Sequence, residues 1–404
     1  MTLETTESRA RAKADPSLDA TTEGKQAEKS LLRRLLAQSR SAPGLLMAIG
    51  LIWLIFFVTT NGIFLSDRNI INLVRQTSVT ATVALGMLVV IAQGEIDLSV
   101  GSLLGVCATV IALLESSGAM PPVVTVLVAL SLGVLVGLWN GLWVAKLGIP
   151  AFVATLGGML MFRGISLAFS GGRTISGIRE EIRYVGEAFL TGPVLWAFLA
   201  VALIVALLPL RRAGGRGERR KALTVTGGGV AVVAAFAWAT TSYRGLPMPV
   251  ALTLVVATIL AWALGNMVWG RHVFAVGGNR AAARVAGIPI ARQIFASYIL
   301  IGVLTALASI LFVGRLGAAP PEAGYFLELN AIAAVVIGGA SLYGGSGNVP
   351  GVLLGALLMQ SLSNGLSLMN VPTAYQNITS GLVLILAVYL DAVSKRGGRP
   401  FLRQ

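Results

Sequence analysis

The chain is short of the groups on which most soluble chemistry depends. It holds one cysteine and one histidine in 404 residues. Cys107 therefore has no internal disulfide partner, and His272 alone is too little for a histidine-based metal site or proton relay. Charged residues make up only 12% of the chain, about half of what a soluble surface carries. Aromatic residues are 7% and do not interleave with the basic runs, so the net charge of +14 outlines no nucleic-acid groove. A G-x-x-x-x-G-K-[ST] phosphate loop is missing. The glycine-rich "GGASLYGGSGN" (Gly338 to Asn348) has no lysine and lies in an apolar region, so ATP chemistry has to come from another polypeptide. Neither a nucleophile–base pair nor a cluster of metal ligands stands out, which argues against a membrane enzyme; no catalytic residue, metal or bound cofactor is expected.

What the sequence does contain is grease. Hydrophobic residues are 55% of the chain and the mean hydropathy is +0.81, values that define an all-α polytopic membrane protein. The first 42 residues are polar and mixed in charge, without the pattern of a cleavable signal peptide. They read as a polar tail, in which "LLRRLLAQSR" (Leu31 to Arg40) is either a short amphipathic surface helix or the charged flank of the first span. Spans are expected near 44–64, 77–93, 98–116, 121–145, 150–168, 193–210, 222–241, 247–269 and 293–314. From Leu329 to Leu390 no charged residue occurs over 62 positions. At about 20 residues per crossing this stretch holds three more passes, broken at "GGASLYGGSGN" and "NVPTAYQN" into 329–343, 349–369 and 373–390. The expectation is 10–12 transmembrane helices in a domain over 43–392, followed by a basic tail over 393–404.

Charge placement orients the bundle. With a cytoplasmic N-terminus, the inner segments hold 23 of the 31 Lys and Arg residues and the outer segments seven, with Arg163 inside a span. The inner ones are eight in the tail, Lys146, six in "RRAGGRGERRK", four between 271 and 292, and four after 390. This is the positive-inside pattern, with both termini cytoplasmic. Acids gather on the other side: Asp67, Glu115, Glu180, Glu181, Glu187, Glu322 and Glu328. The 48 glycines recur at helical spacing, as in "SLGVLVGLWNGLW", where small residues let helices approach closely.

One polar stretch interrupts two apolar runs: "IAQGEIDLSVGS", Ile91 to Ser102. Carboxylates at membrane depth cost several kcal/mol unless paired or hydrated, and the span count places Glu95 and Asp97 at the cytoplasmic end of a helical hairpin. Asp97 or Ser99 suits the N-cap of the helix that follows, while Gly94 and Gly101 allow the tight backbone approach of the hairpin, which also holds Leu98. The stretch is either a capped turn or a hinge or polar gate on a translocation path.

A second stretch is "GRHVFAVGGNRAAARVAGI" (Gly270 to Ile288). Asn279 is a good N-cap, "RAAARVA" favours helix, and Gly287 stops it before Pro289. One or two turns are not stable alone in water, so the segment over 270–292 is an ordinary loop or a docking element for a cytoplasmic protein. On the outer side, residues 170–192 form the longest polar stretch, with a short surface helix expected around "REEIRYVGEAF". It reads as a docking rim or a solvated loop. Arg163 is expected to snorkel outward. Asn140, Thr155, Asn330, Gln360, Asn364, Tyr375 and Gln376 are the polar side chains that match a hydroxyl-rich substrate on an apolar wall, each also explicable as an interhelical hydrogen-bond residue.

"GEIDLSVGS" resembles the G-x-D-L-S-V-G signature of the ribose/xylose-type sugar permeases of bacterial ABC importers. "NGLWVAKLGIPAFVATLGGMLMFRGISL" (Asn140 to Leu167) resembles that family's paired helices with a short inner turn. Gly270 to Ile288 resembles its coupling loop, and "AIAAVVIGGASLYGGSGNVPGVLLGALLMQSLSNGLSLMNV" with "YQNITSGLVLILAVYLD" its C-terminal third. The likeness runs over residues 60–392. Glu95, where glycine is commoner in ribose-type members, and an added helix pair around "RRAGGRGERRKA" are similar to the longer xylose-type permeases.

The resemblance implies a fold of the cobalamin-type (type II) importer architecture and alternating-access import of a pentose such as xylose in the bacterial inner membrane. It also implies a second permease copy, a cytoplasmic ATPase that binds the ATP, and an extracytoplasmic sugar-binding protein. It places the ATPase contact at Gly277, Gly278, Asn279, Ala282, Ala286, Gly287 and Ile288. The rival reading is a stand-alone ion-coupled secondary transporter, for which the spans offer few ionisable groups beyond Glu95 and Asp97.

Overall fold

The computed structural model describes residues 42–212 and 244–395, with positions 223, 230 and 237 between them. Apart from those three positions the expected pass over 222–241 lies outside the described residues, as do the tail helix Leu31 to Arg40 and the tails over 1–41 and 396–404. Helices α1 (Ala42–Thr59), α2 (Asp67–Ala92), α3 (Val100–Ser117), α4 (Pro122–Gly141) and α5 (Ala151–Ser170) come first. A short α6 (Glu180–Glu187) precedes α7 (Gly192–Arg212), and α8 (Met248–Asn266) leads to α9 (Val268–Gly278) and the six-residue α10 (Arg280–Val285). The last helices among the described residues are α11 (Ile290–Leu316), α12 (Leu327–Ile337), α13 (Val349–Leu368) and α14 (Thr373–Lys395). Seven of the helices among the described residues are long and apolar enough to cross a membrane, and α1, α7 and α12 contain shorter apolar stretches. Together with α14 these coincide with eleven of the expected passes.

α2 and α11, of 26 and 27 residues, are each about 40 Å long at 1.5 Å per residue. Their buried faces form the centre with α3 and α12. α4 joins α11 along a small-residue stripe: Gly133, Gly137 and Gly141 face Gly302, Tyr298 and Phe295. A β-carbon on Gly137 would sit 2.5 Å from the Tyr298 carbonyl oxygen, so only glycine permits this approach. A π turn, Leu142–Lys146, ends α4.

The two ends of the bundle differ. At one end, the Gly345 N–H donates to the Ala92 carbonyl at 2.9 Å and α10 lies beside the α2–α3 connection. The opposite end is stapled by two antiparallel pairs of two residues each. β1 (Ile175–Ser176) joins β4 (Ala318–Ala319), and β2 (Phe189–Leu190) joins β3 (Leu246–Pro247). There α6 is amphipathic: Ile182 and Gly186 are buried, with Gly186 against the backbone of Gly314 and Arg315.

Three boundaries differ from the hydropathy reading. α2 begins at Asp67 rather than 77, because its polar first turns pack against α13. The pass expected to 269 breaks at Met267, whose extended backbone separates α8 from α9. The stretch between β4 and α12 is not an outer loop. It enters the bundle without helix, bringing Ala323 against Gly105 and Gly324 against Gly101 before α12 begins. Non-helical backbone at membrane depth is tolerated only where protein or a water-filled cavity surrounds it.

Candidate functional site

The α2–α3 connection is built around Asp97, which is 2% exposed. α2 stops where Gly94 takes a left-handed conformation (φ +78°), which costs glycine nothing. Residues 95–99 follow without helix. The Asp97 Oδ1 accepts the Ser99 N–H at 2.8 Å and the Ser99 hydroxyl at 2.7 Å. Asn140 on α4 donates to the Ser99 Oγ at 2.8 Å and reaches the Asp97 Oδ2 at 3.4 Å. The Thr155 hydroxyl oxygen on α5 accepts the Leu98 N–H at 3.1 Å. Asp97 thus closes a turn one step ahead of α3. Ser99 is the residue at the helix start, and its side chain makes no capping bond, because the hydroxyl is committed to Asp97. The expected N-cap is replaced by a network that ties α3, α4 and α5 together.

Two residues before Asp97, Glu95 forms an ion pair with Arg280, the first residue of α10. Arg280 also donates to the Gln93 carbonyl at 3.2 Å. The Asn279 Oδ1 accepts the Ala282 N–H at 2.9 Å, the cap read from the sequence, and Gly287 has φ +75°. Gly277 packs on the Ala92 carbonyl and on Gly345, with Gly278 facing Gly345. α10 buries Ala283 and turns outward Ala282, Ala286 and Val285, the last 91% exposed; Ile288 is half-buried. A cleft of about 290 Å³ between Glu95, Arg280, Arg284 and the α4–α5 turn runs beside it.

The polar residues proposed for a path do not converge on one place. Asn140 and Thr155 belong to the Asp97 network. Asn364 exchanges two hydrogen bonds with Asn69, at 2.9 and 3.1 Å. Gln360 donates to the Gln76 side chain at 2.7 Å and accepts from Thr80 at 3.4 Å, so these two make a ladder between α2 and α13. Gln376 closes the α13–α14 turn on the Val371 carbonyl at 2.8 Å. Tyr375 is 61% exposed and Asn330 half-buried near the start of α12.

Arg163 corrects its expectation. It does not snorkel outward. Its Nη1 donates to the Ala323 carbonyl at 3.0 Å and its guanidinium lies 5.4 Å from the Tyr325 ring centroid. Glu328, assigned to the outer loop by span counting, is 6% exposed against Gly101. Sequence reasoning also missed the Glu95–Arg280 pair and the exposure of Val285. Both needed the fold of 270–290 back onto residue 93, for which no local pattern codes. At the far end Glu115 is buried and paired bidentately with Arg179, both contacts at 2.9 Å; this bond raises the guanidinium pKa further above its ordinary value.

The chain matches the family model described as branched-chain amino acid transport system / permease component over residues 69–388. It is 41% identical over 360 residues to the xylose transport system permease protein XylH of Escherichia coli (strain K12), covering 87% of this chain and 92% of that protein. The XylH of Haemophilus influenzae is 40% identical over 362 residues, covering 87% and 96%. The ribose import permease protein RbsC of Bacillus subtilis (strain 168) is 35% identical over 345 residues, covering 85% and 91%. No solved structure matches. A bundle of membrane-length helices, an exposed capped helix at one end and a match spanning nearly all of it lead to one assignment: the chain belongs to this family of transport-system permease components.

Proposed function

We propose that the chain is the membrane-spanning subunit of an ATP-driven sugar importer of the bacterial inner membrane, with a pentose such as xylose as its substrate. The observation that carries this is α10: too short to fold alone, capped by Asn279, offering Val285 almost fully exposed, and joined to the Asp97 network through Arg280 and Glu95. Such an element suits docking into a groove of a separate ATPase, which supplies the ATP site and any cofactor. In this reading the α10 end is cytoplasmic and two permease copies pair in a cobalamin-type architecture. An extracytoplasmic sugar-binding protein delivers substrate to the far end, where α6 forms part of the rim.

The mechanism follows from the connections. Closure of the ATPase on ATP moves α10. Arg280 pulls on Glu95, and the 93–99 connection passes the movement to α4 through Asn140 and to α5 through Thr155. Because α3 begins in that same network, the bundle opens alternately to the two sides. The sugar is held weakly, since tight binding midway blocks release.

The test is reconstitution in vesicles with and without the ATPase and sugar-binding subunits, with Val285→Asp as the variant. Uptake requires all components. A carboxylate at Val285 lowers uptake and sugar-stimulated ATP hydrolysis at least tenfold, about the effect of placing one charge in an apolar interface pocket, with membrane insertion unchanged. Sustained uptake by the chain alone on an ion gradient refutes the proposal in favour of a secondary transporter.

A further inference from the structure

At the far end, a cavity of about 590 Å³ opens where the α1–α2 linker, the first turns of α2, β2 and the ends of α11 and α13 meet. Four of its lining residues are arginines: Arg68, Arg75, Arg244 and Arg315. Its one carboxylate, Glu187, is already held by Arg183 through both oxygens, at 3.0 and 3.1 Å. Arg75 donates to the Glu187 carbonyl and lies 4.6 Å from the Phe189 ring centroid, so its position is set. Arg315, half-buried in the last turn of α11, has its Nε–H without an acceptor among the described residues.

From this arrangement we infer that the cavity is a binding site for a phosphate-class oxyanion, either the headgroup of an anionic phospholipid or free phosphate. Several guanidinium groups crowded in one recess repel each other, and a bound anion removes that cost while giving their fork-shaped donors acceptors of matching geometry. A neutral sugar offers no such compensation. The volume falls in the range of small-molecule sites and accommodates a headgroup. Ile63, 57% exposed, Ile71 and Leu368 add apolar lining beside the arginines, as an acyl chain leaving a headgroup requires.

The experiment follows thermal unfolding of the full chain in neutral detergent while titrating short-chain phosphatidylglycerol, short-chain phosphatidylcholine or inorganic phosphate. Phosphatidylglycerol or phosphate raises the midpoint and phosphatidylcholine does not. Response to phosphatidylglycerol alone assigns the lipid headgroup, and response to phosphate as well assigns the oxyanion itself. Arg315→Gln weakens the apparent affinity about tenfold, the worth of one charge-assisted hydrogen bond. Should that variant fail to fold, Arg68→Gln and Arg244→Gln, both at exposed positions of the wall, carry the same test. Equal responses to the anionic and neutral lipids overturn the inference, as do variants that titrate like the wild type. Stabilisation only by an acidic partner protein also overturns it.

Discussion

Asp97 is a buried carboxylate whose two oxygens both serve as acceptors within one network. Its Oδ1 satisfies one N–H and one hydroxyl of Ser99, and the neighbouring Asn140 Oδ1 has no partner among the described residues. In Asp97→Asn the amide oxygen replaces Oδ1, and the new NH₂ meets the spare Asn140 oxygen after a small rotation. The substitution is expected to cost about 1 kcal/mol and to preserve most transport. Asp97→Leu strands the Ser99 N–H and its hydroxyl in a buried site, at about 1–3 kcal/mol each, leaves the Asn140 amide only its bond to the Ser99 Oγ, and is expected to unfold the connection. Thermal unfolding and vesicle uptake of the two variants separate these outcomes; equal, complete loss of uptake with intact folding means that the negative charge itself is required. The sequence alone offered Asp97 or Ser99 as the cap of the helix that follows. It did not reveal that Asn140 and Thr155 complete the site, since partners 43 residues from Asp97 and 57 from Leu98 leave no local trace.

Among the elements, those with a local code were legible and those held by tertiary contact were not. Asn279, "RAAARV" and Gly287 spell out α10, and it forms between those bounds. α2 escaped hydropathy in its first ten residues because Asn69, Asn72, Arg75 and Gln76 are polar; partners on α13 and at the end of α6 let Asn69, Arg75 and Gln76 stay there. The 320–326 stretch, with Pro320, Pro321 and Gly324, reads as a loop, and only the tolerance of Gly101 and Gly105 for a close backbone lets it enter the bundle. The link between α10 and the bundle is testable at this scale. An ion pair in which Arg280 is 48% exposed adds at most about 1 kcal/mol to stability, so its contribution is geometric. Glu95→Arg is expected to leave the unfolding midpoint within a few degrees while lowering sugar-stimulated ATP hydrolysis severalfold, and adding Arg280→Glu to restore much of it. A double variant no better than the single one shows that the pair transmits nothing.

For the whole molecule, the distribution of cations decides orientation only if those on the minority side are accounted for. Seven lie at the far end, and tertiary structure employs six of them: Arg179 with Glu115, Arg183 with Glu187, and Arg68, Arg75, Arg244 and Arg315 around one cavity. Their presence reflects a built surface and leaves the excess at the α10 end as the topological signal. The proposed orientation therefore places α10 in the cytoplasm and α6 outside. Cys107 is buried, so the chain is already silent to a bulky thiol reagent and single cysteines can be added to it. Tyr184→Cys, at a site 60% exposed on α6, and Val285→Cys, at a site 91% exposed on α10, are to be treated with a membrane-impermeant maleimide. In intact spheroplasts the first is expected to react and the second to stay unmodified until the membrane is opened. Opposite labelling inverts the bundle, and with it the assignment of α10 to an ATPase, because the helix then faces a compartment without ATP.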